Sequence, residues 1–142
     1  MSAHFDLDLA DPAQSGVYRI DPAALDTMAA LARDAGLRVL RVDLAGCASK
    51  RTLLARLAVQ LDFPHGNGMN WDALSDSLRD LSWLPAGGYA LLLEAADALR
   101  GNAGEDFHTF LDVLDEAANA WAAAGVAFVA FVCLEDEAAP LH

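Results

Sequence analysis

Between residues 70 and 83 the chain reads Asn-Trp-Asp-Ala-Leu-Ser-Asp-Ser-Leu-Arg-Asp-Leu-Ser-Trp, with a carboxylate at every fourth position: Asp72, Asp76 and Asp80. On a helix, at about 100° per residue, these three fall on one stripe opposite Trp71, while Leu74, Leu78 and Leu81 share the Trp71 sector and face a core. Such a stripe suits recognition of a basic partner. It also suits acid–base hydrolysis, with Asp72 or Asp76 working beside His65 in a cleft. Three carboxylates at i, i+4 repel by a few tenths of a kcal/mol per pair, roughly. Arg79, three residues after Asp76, relieves part of that. Asp72 has a structural reading of equal weight, because it is the second helical residue, at the positive end of the dipole. Asp80 lies towards the unfavourable end, and Asp76 is mid-helix with no capping role. Asp76 is therefore the best functional candidate on geometry, although a solvated acidic face is the commoner origin of such patterns.

Other chemistries have little support. Gly66-x-Gly68 lacks the flanks of a dinucleotide loop and has no Gly-Lys-Ser/Thr, and Asp72 would repel a phosphate. His65 is a loop residue, His108 belongs to the first turns of a long helix, and His4 and His142 are near the ends. There is no His pair at i, i+4 and no Cys-x-x-Cys, so neither metal nor cofactor is expected. Cys47 and Cys133 read as buried thiols, with a single bridge as the alternative. Glu94 ends a strand at the edge where α/β proteins bind ligands, and a capping or turn role is equally open to it.

The elements that must carry these residues follow from punctuation and periodicity. Residues 16–20 (GVYRI) read as a strand. Asp21 and Pro22 open a helix with Leu25, Met28, Ala29, Ala32 and Leu31 inward, closed by Gly36. A strand follows at 37–44, then a helix capped by Ser49 with Leu53, Leu54, Leu57, Ala58 and Leu61 on its apolar side. Residues 63–70 form a loop, and Asn70 caps a helix over 71–83. Strands at 89–93 and 126–134 flank a loop at 101–104 and a helix at 105–124, with Trp83 and Trp121 at core positions. Uninterrupted apolar strands alternating with helices predict a small layered α/β fold, a mostly parallel sheet of three to four strands flanked by helices.

Composition bounds the partners. The 142 residues are 55% hydrophobic, enough for one domain with a core, and carry a net charge of −12. That charge repels nucleic acid and attracts basic proteins, or serves solubility alone. The longest apolar run, residues 126–134, is too short for a membrane span. The first 14 residues lack a basic n-region and an apolar h-region, so the chain is expected to be cytoplasmic, and it is expected to act as a monomer.

The segment Phe63-Pro64-His65-Gly66-Asn67-Gly68-Met69-Asn70-Trp71-Asp72-Ala73-Leu74-Ser75-Asp76-Ser77-Leu78 resembles the hallmark of the barstar family: a proline-containing loop, a glycine, then Asn-x-Asp-Ala-Leu-x-Asp-x-Leu. The resemblance covers about residues 37–135. It divides the chain into an arm at 1–15, an added strand–helix element at 16–36 and a barstar-like domain at 37–136. It implies a non-enzymatic inhibitor of a basic extracellular ribonuclease, blocked inside the producing cell by an acidic helix whose carboxylates imitate RNA phosphates. Asp76 matches the family's central acid and Asp72 its neighbour. Asn70, Ser75, Asp80, Arg79, Gly66 and Asn67 complete the implied partner-binding set. The family often carries aromatics where this chain has Gly66 and Asn67, and can carry one at Ser75. Its further acid on the last helix corresponds to Ala120. These departures, with Arg79, leave open an immunity protein for a different nuclease toxin, or an α/β adaptor without inhibitory activity.

Overall fold

Two stretches, Gly88–Glu94 (β3) and Ala127–Cys133 (β4), are apolar almost throughout, and both lie at the centre of the sheet. The structure, a computed structural model, describes residues 8–64 and 70–135. Its sheet has the order β1-β4-β3-β2, with Gly16–Ile20 (β1) and Arg38–Asp43 (β2) at the edges and every pairing parallel. Consecutive side chains of β3 and β4 point to opposite faces. Tyr89, Leu91, Leu93, Phe128, Ala130 and Val132 enter one core, while Ala90, Leu92, Val129, Phe131 and Cys133 enter another. Burial on both faces explains why these strands read as unbroken apolar runs.

The first core is covered by Lys50–Gln60 (α2), Trp71–Asp80 (α3) and Gly104–Ala123 (α5). The second is covered by Leu25–Asp34 (α1) through Met28, Ala29 and Ala32, with Leu9 packed beside them. Leu9 falls in the segment read as an arm, and it is buried. Gly36, at φ +84, ends α1 as expected and turns the chain into β2.

Four expectations need correction. Asp21 caps a 3₁₀ turn, Pro22–Ala24, and α1 starts only at Leu25. Leu31 is 43% exposed, because Met28, Ala29 and Ala32 already define the inward face. Of the loop expected at 101–104 only Ala103 lies outside a helix: Asp97–Asn102 (α4) precedes α5, which starts at Gly104. Both tryptophans read as core are half-buried, each with its indole N–H hydrogen-bonded to a backbone carbonyl. The cysteines are free and buried, and burial pushes both thiols above their ordinary pKa. No helix among the described residues is long and apolar enough to cross a membrane.

Candidate functional site

Helix α3 starts where the sequence says it should. Asn70 has extended backbone, and its Oδ1 accepts a hydrogen bond from the Ala73 N–H at 2.7 Å. This satisfies one of the open donors of the first turn. The helix ends three residues short of the expected 83. Leu81 takes the left-handed conformation, at φ 50, and its N–H closes on the Ser77 carbonyl at 3.1 Å. The reason is tertiary. The turn sends the Leu81 side chain into the core. It also lets the Trp83 indole donate to the Leu61 carbonyl at 2.9 Å and meet Phe63 edge-on at 5.7 Å.

Three further contacts fix the inner face of α3. Leu74 and Leu78 are fully buried. The Trp121 indole of α5 donates to the Leu78 carbonyl at 2.8 Å, tying the two helices together. Trp71 is half-buried, with the Lys50 ammonium 5.2 Å from its ring centroid, a cation–π contact from the first turn of α2. Nothing in the sequence pointed to Lys50, because its neighbour across space is 21 residues away along the chain.

The outer face carries Asp72, Asp76 and Asp80, all exposed. The Asp76 carboxylate, 76% exposed, lies 3.0 Å from Arg79 Nη2. The Arg79 Nε–H also donates to the Ser75 carbonyl at 3.4 Å, so the guanidinium is held at two points along the stripe. Asp80 accepts from the Ser82 hydroxyl at 3.2 Å, and Asp72 has no ion-pair partner among the described residues. Ser75 is half-buried on the flank. Gly66 and Asn67, with His65, lie outside the described residues. Ala120 is exposed on α5. The stripe is thus an exposed helix face and not a cleft.

A cleft of about 480 Å³ exists elsewhere, at the carboxyl ends of the strands, lined in part by Asp43, Glu94, Asp97, Glu135 and Cys133. Three of these carboxylates are engaged in local structure. Glu94 accepts from Arg41 Nε at 3.0 Å, Asp97 accepts from the Glu135 N–H at 3.0 Å, and Asp43 accepts from the Ala45 N–H at 2.9 Å. Glu94 therefore ends its strand in an ion pair with the neighbouring strand, not in a cap. No cluster of metal-ligating side chains occurs among the described residues.

Fold and site together define a small α/β protein that presents a rigidly seated, acid-lined helix. A family model described as Barstar (barnase inhibitor) matches residues 37–133, which include all of α3, and the chain belongs to the barstar family. That family is one of inhibitors that bind a nuclease, and not of enzymes. Among curated proteins no sequence matches. A chain in the solved structure of Drosophila ORC bound to DNA is similar in fold alone, with a TM-score of 0.53 at 14% identity. That likeness covers 86% of this chain and 32% of the other.

Proposed function

We propose that this protein inhibits a basic ribonuclease by laying the exposed face of α3 into the active-site cleft of the enzyme, and that it catalyses no reaction itself. The observation that carries this reading is the exposed line Asp72–Asp76–Asp80 on a helix whose opposite side is locked into the core, within the stretch matched to a family of barnase inhibitors. Asp76 is the central anchor, taking the place of an RNA phosphate among the cations of the enzyme, with Asp72 and Asp80 flanking it. A seated helix loses little freedom on binding, so more of its interaction energy appears as affinity. The net charge of −12 speeds approach to a basic partner. The partner is an extracellular ribonuclease held inactive in the cytoplasm of the cell that makes it.

The test is inhibition of barnase by the wild-type protein and by Asp76→Ala, at two salt concentrations. Inhibition should weaken with salt, and Asp76→Ala should cost about 2–5 kcal/mol of binding. That general range draws in part on barnase and its inhibitor. Equal inhibition by the two proteins would overturn the reading. A second reading, an immunity protein for a different nuclease toxin, is favoured by two features of the same face. The small Ser75 stands where the family can carry an aromatic, and a guanidinium stands beside the central acid.

A further inference from the structure

We infer that Arg79 is a specificity-determining residue, an internal competitor that occupies Asp76 and that the cation of a partner must displace; this rests on the function proposed above. Arg79 is the sole cation of α3, and it is spent on the most central acid of the stripe. Its position is defined by two contacts, Nη2 to the Asp76 carboxylate at 3.0 Å and Nε to the Ser75 carbonyl at 3.4 Å. Both partners remain largely exposed, at 48% and 76%, so water screens the pair and it breaks readily.

Breaking the pair is the smaller part of the effect. Once a nuclease arginine or lysine takes Asp76, the Arg79 guanidinium is left in the same interface, one helical turn away, facing a basic cleft. A like charge placed there is a repulsive element against partners with nothing to receive it. A nuclease that presents a carboxylate or free carbonyls at the last turn of α3 accepts Arg79. One whose cleft is basic at that point does so poorly. Arg79 thus narrows the set of nucleases that this acidic face inhibits tightly. Asp72 and Asp80 carry no such clasp among the described residues, so they remain open to steer approach.

The experiment is a cycle on barnase: wild type, Arg79→Ala, Asp76→Asn and the double variant, with dissociation constants and association rates measured for each. Arg79→Gln, which keeps the length of the side chain, is run beside Arg79→Ala, and far-UV circular dichroism checks that each variant is folded. Arg79→Ala should bind about three- to tenfold more tightly than wild type, and the gain should shrink without vanishing when Asp76 is already Asn, the part lost reporting the clasp and the part kept reporting the repulsion. If Arg79→Ala binds no better than wild type while Asp76→Asn binds worse, the inference is wrong and the proposed function stands. An equal gain in both Asp76 backgrounds would reduce Arg79 to bulk charge and also sink the inference. If no form binds, the function and the inference fall together.

Discussion

At the scale of single residues, two backbone positions test how conformation trades against burial. Leu81 and Ala95 both hold positive φ, at 50 and 55, where a side chain costs roughly 1–2 kcal/mol relative to glycine. Ala95 is exposed, so Ala95→Gly should raise stability by about 1 kcal/mol. Leu81 is buried, and losing its side chain costs about 2–5 kcal/mol. Burial outweighs the conformational relief there, and Leu81→Gly should destabilise. Urea unfolding of the two variants should therefore move in opposite directions. The acids of α3, its Asn70 cap and the Asp76–Arg79 pair were legible in the sequence because each depends on neighbours within one turn. Leu81 was not, since its left-handed turn serves the contacts that Trp83 makes with Leu61 and Phe63, which are far from it along the chain. The raised thiols give a pH dependence of definite sign. The folded state holds the Cys47 and Cys133 protons more tightly than the unfolded chain does. Their contribution is intact below the ordinary thiol range and is lost as pH rises from that range through the raised values of the folded state. Neither thiol should react with a disulfide reagent until the protein unfolds, and reaction of the native protein at the rate of a free thiol would contradict the burial described.

At the scale of elements, α3 is the piece on which the proposed function turns, and its seating on α5 can be loosened selectively. Trp121→Phe keeps most of the apolar contact but leaves the Leu78 carbonyl without its indole donor. The expected cost is about 1 kcal/mol of stability, and the effect on inhibition should be smaller than that of Asp76→Ala. Thermal unfolding and barnase titration of the same sample would separate the two effects. Periodicity placed α2, α3 and α5 well, because each buries one stripe. It missed α4, a six-residue helix in which Gly101 and Asn102 read as loop. Such a short helix owes its stability to context. Here Leu99 is buried and Asp97 holds the Glu135 N–H, two contacts invisible to local pattern.

At the scale of the whole molecule, a layered fold with a parallel sheet was legible from the unbroken apolar character of β3 and β4. The strand order was not, since β1 lies beside β4 and away from β2, its neighbour in sequence. That order decides what residues 16–36, which precede the matched stretch, contribute. Helix α1, with Leu9 beside it, caps the face made by Ala90, Leu92, Val129, Phe131 and Cys133. A fragment beginning at Leu37 should therefore expose that face and self-associate, which light scattering would detect. A well-behaved monomeric fragment would show the face to be dispensable.

The pairing of β1 with β4 also carries a consequence for how the protein is made. Ser15, at the threshold of β1, holds the Phe128 N–H of β4 from 113 residues away. On the ribosome, β1 emerges early and has no strand to join until β4 has followed it out of the exit tunnel. The sheet is thus completed by the earliest of the described strands, and until then the nascent chain carries an uncovered apolar face. By this topology closure of the sheet waits on β4, and the strands that precede it in the chain cannot complete it by themselves.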